Sequence, residues 1–273
     1  MRAAKVRGAE LSYVEKGTGP ALILVHGSLN DYRAWELQLE PFAERFRVVA
    51  YSRRNHFPNE WSEYPAGYSV KDERDDLMGL VGALGLETPL HIVGSSYGAY
   101  VAALVERDHP EVVRSAVLGE PPILSLLAGN PRSLKSYRAS ESRFAELVMA
   151  RLRDGDDSAA AAGFIDFIMG AGAFDRLPTG ARQMILQNSK TLVAELPTLE
   201  RDHFTTEDAR KISTPTLLVR GQRSPAMFQA VTSLLAKSMP NATVSTIRDS
   251  SHTPYVTNAA LYNKTVLRFL LDN

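Results

Sequence analysis

Residues 91–103, HIVGSSYGAYVAA, restrict this chain more than any other stretch. A short apolar run, Ile92 and Val93, breaks at Gly94, and after Ser95, Ser96, Tyr97 and Gly98 the small residues Ala99, Ala102 and Ala103 start a helical pattern. The order is strand, sharp turn, helix, with Ser96 at the centre of G-x-S-x-G. Such a turn is strained and pushes a hydroxyl out of the backbone, while the positive end of the following helix points at it. Gly94 and Gly98 suit two places where a side chain would collide with the turn or with the packing behind it. The pattern also fits an ordinary strand-to-helix turn, so the flanking sequence has to decide.

A second landmark precedes it. Residues 20–35, PALILVHGSLNDYRAW, carry an apolar strand ending in His26-Gly27, then a polar loop that leads into a helix. With these two motifs the chain resembles the α/β-hydrolase family, over nearly its whole length because later landmarks fall in order too. The resemblance implies an α/β fold with a mostly parallel central sheet flanked by helices. It also implies that the His-Gly after the third strand shapes an oxyanion loop and that the elbow presents a nucleophile, here Ser96.

The hydrophobic pattern leads to the same architecture without the resemblance. Residues 5–7 and 11–15 read as short strands joined at Gly8, an antiparallel edge, and 21–25 and 47–51 as further strands. Residues 34–46 read as a helix that Pro41 should break. A polar, aromatic-rich loop covers 52–65. A helix at 69–86 follows, with Ser69 as its cap and Leu77, Leu80, Val81 and Leu84 at helical spacing, and a strand occupies 112–118. Alternation of strand and helix between 21 and 118 is the pattern of βαβ units. From 122 to 210 there are amphipathic faces (Phe144, Leu147, Val148 and Leu152; Phe164, Ile165 and Ile168) and no convincing strand, so this stretch reads as an inserted helical cap. Strands at 216–220 and 243–247 and helices at 227–237 and 254–271 complete the chain. The expected organisation is a core over 1–121 and 211–273 with the cap over 122–210.

Composition removes whole classes of function. The 31 basic and 31 acidic residues cancel, leaving no nucleic-acid track and no polybasic membrane patch. The chain has no cysteine, which excludes disulfides, thiolate catalysis and Cys-ligated metals. The N-terminus has no apolar core of signal-peptide type, and no run approaches the about 18 apolar residues of a membrane helix. The expectation is a cytoplasmic protein, monomer or homodimer, that acts on a small molecule with no nucleic-acid or membrane partner.

A serine hydroxyl needs a base, and the base needs an orienting acid. Of the six histidines, His252, in the DSSHTPY segment after the last strand, stands where the family places its catalytic imidazole. His91 opens the elbow strand and should face away from the site. The acid departs from the commonest family pattern: the turn after the strand that follows the cap reads GQRSP, and Ser224 stands where most members carry Asp. A neutral hydroxyl cannot stabilise an imidazolium as a carboxylate does. Glu120, directly after the strand that follows the elbow helix, is where certain dehalogenases and lactone hydrolases of the family place the acid, and its extra methylene helps it to span from a neighbouring strand. Asp249 is the reserve candidate, and a solvated hinge residue is the plain alternative for Glu120.

The resemblance further assigns two backbone N–H groups, those of Ser28 and Tyr97, to the oxyanion hole. His26 would brace the loop. Arg53, Arg54 and His56 replace a glycine-rich family motif and are either a clamp for an acidic substrate group or structural anchors. The scattered histidines and acids lack the spacing of a metal site, and no cofactor is expected. The expected activity is hydrolysis of a carboxylic ester or lactone of a small apolar compound through Ser96, His252 and Glu120. Amide or carbon-carbon bond hydrolysis, metal-free oxygen chemistry and a catalytically weak binding protein are the other readings.

Overall fold

A strand buried on both faces has to be apolar nearly throughout, and residues 21–25, 48–51 and 90–95 meet that condition. In the computed structural model, which describes residues 1–129 and 131–273, they form the centre of an eight-stranded sheet. The strands are β1 (Arg2–Val6), β2 (Ala9–Lys16), β3 (Ala21–Val25), β4 (Arg47–Tyr51), β5 (Leu90–Ser95), β6 (Val113–Gly119), β7 (Thr216–Gly221) and β8 (Ala242–Ile247), in the order β1-β2-β4-β3-β5-β6-β7-β8. β2 runs antiparallel to both neighbours, and all other pairs are parallel. The chain therefore has the expected fold, with its antiparallel edge at the N-terminal strands.

Because side chains alternate across a strand, each central strand serves two cores. Ile23, Val25, Ile92 and Leu118 face one side, where they meet Leu77 and Leu80 of helix α2 (Val70–Ala83), Tyr100 and Leu104 of α3 (Tyr97–Asp108), and Val231 and Leu235 of a helix at Ala226–Ser238. Leu22, Leu24, Val93 and Val117 face the other, against Trp35, Phe42 of α1 (Glu36–Ala43) and the residues Tyr262, Val266 and Leu270. Ser69 caps α2 in a reciprocal box with Asp72.

Two details differ from the sequence reading. Pro41 lies inside α1 without breaking it. A proline removes the N–H that would bond the carbonyl four residues earlier, and here that carbonyl, of Leu37, accepts from Asn263 Nδ2 at 2.8 Å instead. The terminal helix is also divided, because Asn258 ends a short turn and its side chain caps the helix that follows.

Between β6 and β7 the described residues form helices and no strand: α4 (Pro131–Phe144), α5 (Ala150–Arg153), α6 (Asp157–Met169), α7 (Ala173–Arg176), α8 (Thr179–Gln187), α9 (Leu192–Arg201) and α10 (Thr206–Lys211). After β7 come α11 (Ala226–Ser238), α12 (Pro254–Thr257) and α13 (Ala259–Leu271). The inserted helices have an apolar cluster of their own, built on Val148, Ala160, Ala161, Ile185, Leu192 and Leu196, and Leu29 from the loop after β3 is embedded in it. No helix of the described residues is long and apolar enough to cross a membrane.

One acid is buried at the N-terminal end of β7. Glu106 of α3 is fully enclosed and accepts from Thr216 Oγ1 of β7 at 2.6 Å. Burial pushes its carboxyl up to about 8, against the opposing effect of that hydrogen bond. An unfolded glutamate ionises near pH ~4.3, so folding takes up a proton between these values. The stabilising contribution is present in full below the unfolded pKa and is lost as pH rises towards 8, at up to roughly 1.4 kcal/mol per pH unit. Glu106→Gln is expected to abolish this part of the pH dependence: between pH 5 and pH 8 the native Tm should fall more steeply than that of the variant. Parallel Tm curves would rule it out.

Candidate active site

The elbow is built as its sequence requires. Ser96 sits between β5 and α3 with φ 51° and ψ −121°, a conformation that costs a non-glycine residue on the order of 1–3 kcal/mol. The turn can close only over glycines: a Cβ at Gly94 would stand 2.5 Å from the Gly98 carbonyl oxygen, and one at Gly98 would stand 2.2 Å from that of Val25. A hydrogen bond from Ser96 N to Gly119 O, 2.7 Å, ties the turn to the end of β6. The Ser96 hydroxyl itself has no hydrogen-bond partner among the described residues and faces a cavity that His252 also lines.

The structure brings His252 and Glu120 together. Glu120 follows β6 with φ 49°, is fully buried, and places Oε2 2.6 Å from His252 Nδ1, while its Oε1 accepts from Gly221 N at 2.8 Å. A carboxylate only accepts, so this hydrogen bond is donated by the Nδ1–H. Phe228 stacks on the imidazole at 4.1 Å between ring centres and holds its plane. Sequence reasoning missed Phe228, since an aromatic residue on an amphipathic helix is indistinguishable from core. The reserve candidate, Asp249, is exposed and has no hydrogen bond to the histidine, and the Ser224 hydroxyl is buried with no hydrogen-bond partner. His91 points away from the site, bonding Ser115 Oγ at 2.8 Å and packing on Phe46.

Ser28 and Tyr97 flank Ser96, and neither backbone N–H has an acceptor among the described residues. His26 braces their loop. Its Nδ1 lies 2.8 Å from Gly27 O, and its Nε2 accepts from Arg53 N at 2.9 Å. Burial, followed by the charges of Arg53 and His56, lowers the His26 pKa well below its usual value, so it is neutral.

Arg53, Arg54 and His56 are anchors. Arg53 is fully buried, with Nη2 2.5 Å from Glu195 Oε1 and Nη1 3.2 Å from Glu73 Oε1. Arg54 forms a two-pronged pair with Asp76 at 2.7 and 2.8 Å. His56 Nε2 stands 3.2 Å from Glu195. All three guanidinium and imidazole groups are spent inside the protein, leaving none for a substrate carboxylate.

The cavity at Ser96 is small, about 40 Å³, room for a few water molecules. Its far wall is Phe164, Ile165, Ile168 and Met169 of α6, and no Lys, Arg, Asp or Glu lines it. A ligand larger than a few atoms needs α6 to shift. Among the described residues no three His, Asp or Glu side chains cluster as metal ligands would.

Comparison with known proteins extends these observations. The profile described as "Alpha/beta hydrolase family" matches residues 22–265. The uncharacterized hydrolase YraK of Bacillus subtilis is 33% identical over 126 residues, 46% of this chain and 46% of that protein. The matches span less than half the length of the curated relatives. Among solved structures, the enol-lactonase of Burkholderia xenovorans LB400 superposes with a TM-score of 0.77 at 22% identity, covering 99% of this chain and 100% of that one. The carboxylesterase CesB (YbfK) of Bacillus subtilis has a TM-score of 0.75 at 19% identity, covering 100% and 91%. At these identities the two structures establish likeness of fold.

Ser96→Gly should unfold at a higher temperature than Ser96→Ala, by an amount worth about 1 kcal/mol. Both variants lack the hydroxyl, but only glycine adopts this backbone without strain. Equal Tm values would show that the elbow stores no strain.

Proposed function

The chain belongs to the alpha/beta hydrolase family, and on that premise we propose that it is a serine hydrolase that cleaves a carboxylic ester or lactone of a small, uncharged, largely apolar compound. The 2.6 Å hydrogen bond between Glu120 and His252, beside the cavity that Ser96 enters, carries this reading. With Nδ1–H held by the carboxylate, Nε2 takes the proton from Ser96 Oγ as that oxygen attacks the carbonyl carbon. The Ser28 and Tyr97 N–H groups receive the oxyanion, and Glu120 offsets the charge on the imidazolium. Collapse of the tetrahedral intermediate expels the alcohol, protonated by His252, and leaves an acyl group on Ser96. Water activated by the same imidazole then releases the acid. Residues 122–210 act as the cap of this site, with α6 as the wall that selects the acyl group.

The chemistry of the lining supports the substrate class. Four apolar side chains of one helix line the cavity opposite the serine, no Lys, Arg, Asp or Glu borders the space, and Arg53 is paired with Glu195 beneath it. A carboxylate-bearing acyl group would lose its hydration there with no cation to replace it.

On p-nitrophenyl esters of increasing acyl length, Ser96→Ala should abolish turnover, and Glu120→Gln should lower kcat by about a hundredfold or more. Ser224→Ala should stay within about threefold of native. Full activity in Glu120→Gln would place the acid elsewhere. Trimming the wall with Ile168→Ala should raise kcat/KM for hexanoate relative to acetate by about tenfold, the scale of a methylene or two in an apolar pocket. An unchanged chain-length profile would remove α6 from substrate selection.

A further inference from the structure

The inserted helices roof the cavity with α6, but α9 reaches under it. Glu195 of α9 is fully buried and meets Arg53 of the core. Arg53 in turn donates from Nε to His26 O at 3.1 Å and from Nη2 to Gly27 O at 3.4 Å, the two carbonyls immediately before Ser28. Its guanidinium also lies over the Tyr97 ring, 4.5 Å from the ring centre. One helical turn further along α9, Thr198 Oγ1 is 2.8 Å from the Tyr97 hydroxyl. On the other side of Ser28, Leu29 adopts φ 61°, which a branched side chain avoids, and its side chain is buried in the apolar cluster of the inserted helices. Each of the two backbone N–H groups beside Ser96 thus belongs to a residue held from α9 or its cluster.

From these contacts we infer that α9 sets the oxyanion hole: Glu195, acting through Arg53, and Thr198, acting on Tyr97, are positioning residues whose seating on the core brings the Ser28 and Tyr97 N–H groups to their working positions. The inference rests on the serine-hydrolase reading. An oxyanion hole works by preorganisation, so a shift of its donors weakens the transition state and leaves substrate binding largely intact. Lifting the inserted helices to admit substrate would loosen the hole, and reseating them would rebuild it, coupling closure to chemistry.

The test compares native protein with Glu195→Gln, Thr198→Val and Leu29→Ala, using p-nitrophenyl acetate as substrate and phenylboronic acid as inhibitor. Ser96 Oγ adds to the vacant orbital of boron as its proton passes to His252, and the tetrahedral boronate directs a boron-bound oxygen at the two N–H groups. The expected result is a fall in kcat of about 30-fold for Glu195→Gln and about fivefold for Thr198→Val, with KM within about twofold, and an inhibition constant that rises in proportion to the fall in kcat/KM. Variants that lose thermal stability but keep native kcat and native boronate affinity per folded molecule would overturn the inference. If Glu195→Gln does not fold, Thr198→Val and Leu29→Ala decide by the same two readouts. A native protein that neither turns over the ester nor is labelled by a fluorophosphonate would overturn the hydrolase reading and this inference with it, an outcome distinct from an active enzyme whose variants are unchanged.

Discussion

Two backbones meet at the top of the sheet with no room for a side chain between them. α3 packs its first turn onto the end of β3 so closely that a Cβ at Gly98 would overlap the Val25 carbonyl. That contact fixes where the helix begins, and with it the direction of the Ser96 hydroxyl and of the Tyr97 N–H. It also brings the loop after β3, and Ser28, alongside the elbow. The strain at Ser96 persists because both flanking strands are buried in parallel pairing and cannot relax around it.

The same sheet explains how an acid can change strands. β6 and β7 are neighbours in the sheet, and the loop that carries His252 meets the ends of both: Gly221 abuts Ser250 and Ser251, and Glu120 bonds the imidazole. Glu120 uses its longer side chain to reach the imidazole and anchors its other oxygen on the Gly221 N–H at the end of β7. A serine at 224 is then tolerated, since the carboxylate has already arrived from the neighbouring strand. Glu120, Ser96, Leu29 and Asn55 all have positive φ without being glycine. Of the six such residues among those described, which also include Arg7 and Asp249, the first three named carry or adjoin the groups at the cavity, and Asn55 belongs to the loop of anchors beneath it.

Beneath the site the protein buries a cation between two acids. Burial raises the Glu73 carboxyl, with Arg53 only partly opposing it, whereas for Glu195 the penalty of burial is outweighed by Arg53 and by His56, which hold it at about 2. Of the two acids beside Arg53, the one supplied by the inserted helices is thus held the more firmly in its charged form. A buried pair of this kind adds little net stability but is costly to break on one side, which suits a joint between two parts of the chain better than it suits a rigid core.

The sequence by itself determined the sheet, its antiparallel edge, the elbow, the helical insertion, and the candidacy of Ser96, His252 and Glu120. Those features are local or periodic: apolar runs, glycines at fixed offsets, and the order of landmarks along the chain. Even the odd pair of a serine at 224 and a glutamate at 120 was legible, because each anomaly accounts for the other. Tertiary structure alone decided that Pro41 could remain in a helix, because the free Leu37 carbonyl finds a donor in Asn263, 222 positions beyond the proline. It alone decided that Arg53 is an anchor, that Phe228 stacks on His252, and that Glu195 joins the inserted helices, through Arg53, to the loop after β3. These depend on which distant side chains share one buried volume, and no period or motif in a linear sequence records that.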